Sequence, residues 1–145
     1  LYAETTGMNT EAEYPYKGVD GTCTAKPDGI FNSYAYVDVP QSDDSQFIAA
    51  LARGPLSIAI EADTMVFQFY SGGVMNSASC GQNPDHGVTA VGYGTEAGQD
   101  YVLVKNSWGA SWGASGFIKI ARTKNDTTGG ICGMQMQPSY PNAKN

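Results

Sequence analysis

Apolar and polar positions alternate most clearly in PLSIAIEA, where Leu56, Ile58 and Ile60 fall on one side. A period of two marks a half-buried strand. YAYVDV (Tyr34 to Val39) is rich in β-forming residues and predicts another strand. GVTAVGYG, YVLVKN and GFIKIA predict three more, separated by Gly-rich turns. Between the first two strands the period changes. In SDDSQFIAALARG, Phe47, Ile48 and Leu51 make one apolar face of a short helix. Ser42 is placed to cap it, Asp43 and Asp44 suit the positive end of its dipole, and Gly54 is placed to end it. MVFQFYSGG allows a helical turn or two. NTEAEYPYKGVDGTC is a loop, punctuated by Pro15, Gly18 and Gly21. The opening LYAETTGMN reads as the tail of a helix stopped at Gly7, so the chain is expected to begin inside something larger. Many strands and few helices predict an antiparallel barrel or sandwich with helical decoration.

Composition narrows the possible functions. The 145 residues suit one domain with a real core. The net charge of −6 argues against a nucleic-acid partner, which needs clustered Lys and Arg. Apolar runs of only a few residues argue against a membrane span, and the first residues carry no charged-then-apolar signal pattern. Cys23, Cys80 and Cys132 form no C-x-x-C pair, and there is a single histidine. Neither a structural zinc site nor any other cofactor is expected. Each cysteine is flanked by small, polar or turn-forming residues, which suits disulfides at loop edges in an oxidising compartment. Asn125-Asp126-Thr127 is an acceptor triplet for N-glycosylation and points the same way.

The chemistry starts from the lone histidine, His86, with Asp85 before it and Gly87 after it. A lone loop histidine ordinarily has no chemical role. VKNSWGASWGASGF changes that, because it packs two tryptophans among glycines beside Asn106. Its plain reading is an aromatic-stabilised hairpin; its sharper one is an asparagine held under a tryptophan roof. An asparagine oxygen can accept an imidazole N–H and fix its tautomer. His plus an orienting Asn is two-thirds of a nucleophile-activating triad. Other candidates are weaker. GYGTEAG lacks the glycine spacing of a dinucleotide loop. Asp43 and Asp44 read as a helix start rather than an acid pair. Glu61 and Asp63 follow a strand and read as solvated.

DHGVTAVGYG, YVLVKNSWGASWGASGFIKIAR and GGICGMQMQPSYP resemble, in that order, the His and Asn signatures of papain-like cysteine peptidases of the cathepsin L/papain type. EAEYPYKGVDGTC resembles the segment that precedes them. The likeness covers nearly the whole chain. It implies an α+β fold: residues 1–30 as the tail of a helical N-terminal lobe with a crossing loop, and residues 31–145 as a C-terminal, antiparallel, barrel-like β lobe with short helices. By resemblance His86 is the catalytic imidazole and Asn106 orients it. Trp108 shields their hydrogen bond, and Trp112 lines the leaving-group side of the cleft. Ala59, Pro84, Asp85, Gly87 and, at its base, Gln137 would line the substrate pocket. Cys80 pairs with Cys132.

The family's nucleophile, a Cys at a helix start within C-G-[SA]-C-[WY], has no match in this chain. Its usual distance from the histidine places it some tens of residues before Leu1. The implied partner is therefore an N-terminal lobe carrying that Cys, bridged through Cys23, with peptides and proteins as substrates. The implied setting is lysosomal, vacuolar or secreted. A non-enzymatic relative that keeps this lobe as a binding or structural module stays open.

Overall fold

The computed structural model describes residues 5, 7–27, 29–31 and 33–143. They divide into two compact units, Leu1–Val37 with Pro141–Asn145, and Asp38–Tyr140. In the first, the expected opening helix falls largely on residues outside those described. Gly7 does adopt the left-handed backbone of a helix stop, with φ 73°. Its neighbour Met8 donates from its backbone to Phe31 at 2.7 Å. Gly29 makes that crossing possible, since a Cβ there would sit 2.7 Å from the Met8 backbone. The loop beyond is held by short-range bonds. Glu13 accepts from the Thr10 backbone N–H and hydroxyl, both at 3.0 Å, and the backbone bond, then the hydroxyl, lowers its pKa.

The second unit carries most of the sheet. β1 (Ser33–Asp38) is followed by α1 (Asp44–Leu51), β2 (Leu56–Ile60), α2 (Met65–Gln68), β3 (Val74–Met75), β4 (His86–Glu96), β5 (Gln99–Lys105), β6 (Phe117–Ala121) and β7 (Ser139–Ala143). β1 belongs almost wholly to the first unit, and β7 starts in the second and ends in the first. Within the second unit the strands neighbour one another in the order β7-β2-β4-β5-β6-β3. β4 lies between β2 and β5, antiparallel to both. β3 adds a parallel pair with β6 that alternation along the chain does not disclose, because it spans two residues. In β2 the alternation is obeyed: Leu56, Ile58 and Ile60 are buried, Ser57 is exposed and Ala59 half-buried. Phe47 and Leu51 of α1 pack into the same core as Ile60, Val102, Val104, Ile118 and Ile120. Each such side chain contributes about 1.5–3 kcal/mol of burial free energy.

Two local expectations change and one is extended. The N-cap of α1 is Asp43, whose carboxylate accepts from Gln46 N–H, and not Ser42. Ser42 sits one residue too early, with φ 54°. The helix ends at Leu51 with Ala52 as its C-cap, before Gly54. Asp44 does stand in the first turn, where the dipole favours it, but it has a second partner. It is buried, and Arg122 holds it through both Nε (2.6 Å) and Nη2 (2.8 Å).

Candidate active site

His86 opens β4, and the chain enters it under constraint. Asp85 donates its backbone N–H to Ile60 O at 3.0 Å, and its carboxylate accepts from Ala62 N–H at 2.8 Å. Both bonds tie the His86 approach to the end of β2, whose Ile60 is the cross-strand partner of His86. Asn106 follows β5 directly and is 7% exposed. Its backbone donates to Gly116 O at 3.0 Å, which closes the tryptophan loop beneath it.

The two side chains meet, with His86 Nε2 lying 2.8 Å from Asn106 Oδ1. The Ser107 backbone N–H donates to the same oxygen at 2.7 Å. A backbone N–H can only donate, so that atom is the acceptor of the amide and Nε2 must carry the imidazole proton. Nδ1 is then left for chemistry on the other side of the ring. Asn106 Nδ2 is buried without a hydrogen-bond partner among the described residues.

Aromatic rings support this pair. Trp108 lies 5.2 Å from the His86 ring, tilted by 33°. Trp112 meets Trp108 edge-on at 5.4 Å and packs on Phe67 at 5.0 Å. The Trp112 indole N–H donates to Gln68 O at 3.0 Å, which ties the loop to α2. Phe67, fully buried at the centre of this bed, was not singled out by the sequence reading. The aromatic spacing in MVFQFY was the available signal.

The expected pocket residues are placed as follows. Ala59 and Gly87 are cross-strand partners, and no atom lies within 4 Å of a Cβ built on Gly87. Pro84 is half-buried and Asp85 exposed. Ser139 pairs with Ser57, so Gln137 stands two residues from a strand pair that is itself two residues from Ala59. Gln137 is exposed and lines a groove of about 320 Å³ with Asp38, Gln41 and Ser139.

Cys80 and Cys132 are joined by a disulfide and are fully buried, as the resemblance implied. Cys23 is exposed and outside that bond. Asn125 is exposed, with φ 59°. Glu61 departs from expectation. It is half-buried, and its carboxylate accepts from Asn83 N–H at 2.5 Å, three residues before His86.

A family model for papain family cysteine proteases matches residues 1–142. The chain belongs to the papain family of cysteine proteases. It is 47% identical over 137 residues to the oryzain beta chain of Oryza sativa subsp. japonica, covering 93% of this chain and 29% of that protein. It is 48% identical over 139 residues to a cathepsin L-like peptidase of Aedes aegypti, covering 93% of this chain and 40% of that one. The bromelain protease of Ananas comosus, solved in complex with an inhibitor, superposes with a TM-score of 0.88 at 37% identity. That match covers 97% of this chain and 65% of the solved one. The fold is thus the papain-like α+β fold, and the chain spans well under half the length of these curated relatives.

Proposed function

We propose that this chain is the His- and Asn-bearing part of a papain-like cysteine endopeptidase whose nucleophilic Cys lies on a segment before Leu1. The observation that carries this reading is the 2.8 Å contact of His86 Nε2 with Asn106 Oδ1, in a tautomer that leaves Nδ1 toward the reacting side. A thiol placed there gives its proton to Nδ1, forming a thiolate–imidazolium pair. The thiolate attacks the peptide carbonyl carbon. The C–N bond breaks as Nδ1–H protonates the leaving amine. Water then attacks the thioester carbonyl carbon as one of its protons passes to Nδ1; the C–S bond breaks, the acid leaves with the water oxygen, and the thiolate–imidazolium pair is restored. The Asn106 oxygen keeps the ring in one orientation while it cycles between its two charge states. Trp108 limits water's access to that hydrogen bond.

Residues 1–30 are, on this reading, the end of an N-terminal lobe, with Cys23 bridging to a cysteine in it. Asn125 carries a glycan, and the protein works in a lysosome or vacuole or outside the cell. Ala59, Pro84, Asp85 and Gly87 line the pocket for the second substrate residue before the cut, with Gln137 at its floor. Small residues at 59 and 87 leave room, and apolar walls favour Leu or Phe by burial. The Asp85 carboxylate is engaged by Ala62 N–H and a neutral Gln137 offers a guanidinium no counter-charge at the floor, so Arg is disfavoured by about tenfold or more.

The test is made on the full-length proteinase, with a fluorogenic dipeptide amide and a thiol-reactive peptide epoxide. Turnover should accompany labelling of one upstream cysteine, with Cys23, Cys80 and Cys132 unlabelled. Absence of turnover would leave the non-catalytic binding relative as the better description, and a label on a cysteine of this chain would overturn the upstream nucleophile.

A further inference from the structure

Asp44 lies at the start of α1, far along the chain from everything its carboxylate touches. It is 2% exposed and takes four donors. Arg122 Nε and Nη2 reach it at 2.6 and 2.8 Å, Asn125 backbone N–H at 3.2 Å, and Gln135 Nε2 at 3.3 Å. The sequence separations are 78, 81 and 91 residues. A buried ion pair is a poor stabiliser compared with well-packed apolar residues, so what it adds is the fixing of one arrangement. Here the arrangement concerns the segment after Cys132.

That segment is held along its length. At one end Cys132 is bonded to Cys80, and its carbonyl accepts from Glu61 N–H at 2.9 Å. At the other end Ser139 pairs with Ser57 on β2. In between, Gln135 is 1% exposed, its side chain bonded to Asp44 and its carbonyl accepting from Ser42 N–H at 2.9 Å. Ser42 lies just before the Asp43 cap, so that backbone bond also depends on where α1 starts. Gln137 is exposed, midway between Gln135 and Ser139 and next to Pro138, whose carbonyl accepts from Val39 N–H at 2.9 Å. Its position is set by the anchored backbone on either side, Gln135 before it and Pro138 and Ser139 after it. His86 and Asn106 are held by β4, β5, the tryptophan loop and the end of β2 instead.

We propose that Asp44, acting through Gln135, is a positioning residue for Gln137 and thereby sets the selectivity of the pocket that Gln137 floors. This rests on the reading of Gln137 given above. Loosening the clamp blurs the choice between substrates without disturbing the imidazole. Gln135 Oε1 is buried without a partner among the described residues, so replacing Gln135 by an apolar residue of similar length removes the clamp at little cost to folding.

The experiment uses the full-length proteinase, with kcat and KM measured on paired substrates carrying Leu or Arg at the second residue before the cut. The variants are Asp44→Asn, Gln135→Met and Gln137→Glu, with Phe47→Leu as a core-destabilised control. Asp44→Asn and Gln135→Met should narrow the Leu:Arg ratio of kcat/KM from about tenfold to about threefold, mainly through KM, with kcat on Leu within about twofold. Phe47→Leu should lower Tm and leave the ratio alone. If Gln137→Glu raises Arg cleavage but the two clamp variants keep the parent ratio, the positioning role is overturned and the pocket assignment stands. If Gln137→Glu has no effect, the pocket assignment fails and the positioning role falls with it. Should Asp44→Asn not fold, Gln135→Met decides.

Discussion

His86 Nε2 and Asn106 Oδ1 lie 2.8 Å apart across 20 residues of sequence. β4 and β5 bring them together, since Thr89 pairs with Lys105 and Asn106 is the next residue. In the full-length proteinase His86→Ala should lower kcat/KM for a fluorogenic peptide by about three orders of magnitude or more, and Asn106→Ala by about two. The second variant should stay folded. It loses the bond to Ser107 N–H but also removes the buried, unpartnered Nδ2. Near-normal turnover by His86→Ala would remove the assignment.

Gly81 and Gly73 have the same φ of 75° but different surroundings. A Cβ on Gly73 meets nothing within 4 Å, whereas one on Gly81 overlaps the Glu61 carboxylate. That carboxylate holds Asn83 N–H, on the approach to His86. Gly73→Ala therefore measures backbone strain alone, about 1 kcal/mol. Gly81→Ala should lower Tm further and reduce kcat as well, because the Glu61 carboxylate must move and gives up its hold on Asn83 N–H. Equal Tm and kcat for the two variants would show that Glu61 does not hold the segment leading to His86.

The strands and the chemistry were legible in the sequence for the same reason: both are written locally. Leu56, Ile58 and Ile60 announce a strand by their spacing, and DHG and KNSWG carry the site within a few residues each. What escaped was decided at long range. Asp44 and Asp43 look alike in SDDSQ, yet one caps the helix and the other is buried against Arg122, 78 residues away. Nothing near Asp44 signals that partner. Glu61 likewise reads as solvated until the fold brings Asn83 to it. The two-residue β3 is too short for alternation to register, and it exists because β6 offers it an edge.

The two aspartates make that difference measurable. Asp43→Ala removes an N-cap and should cost about 1 kcal/mol. Asp44→Ala leaves the Arg122 guanidinium, 14% exposed, with Asp100 at 3.7 Å as its remaining carboxylate and should cost more than the cap does, up to about 3–5 kcal/mol. Ser42→Ala, at the position the sequence favoured for the cap, should stay within about 0.5 kcal/mol. Chemical denaturation of the full-length proteinase ranks the three. An Asp44→Ala cost no larger than that of Asp43→Ala would mean the buried pair contributes nothing beyond a cap.

The acid limb of stability should carry a contribution from Asp100. Its carboxylate accepts from the Thr95 hydroxyl at 2.5 Å and faces Lys124 Nζ at 3.3 Å and Arg122 Nη1 at 3.7 Å. The Thr95 bond, followed by the Lys124 ammonium, holds its pKa below the ordinary carboxylate value. A lowered folded-state pKa means that the unfolded chain binds the proton more readily. The stabilisation is therefore complete above the unfolded value of about 3.9 and is lost as pH falls through the lower folded one. Asp100→Asn still accepts from Thr95 but cannot gain from the cations. Its Tm should lie below the parent's at pH 6, and the two curves should converge as pH drops under about 4. Lys124→Met should reproduce part of the gap, since Lys124 is the nearer of the two cations. A Tm difference that stays constant from pH 6 to pH 3 would show that the effect of Asp100 is packing and not charge.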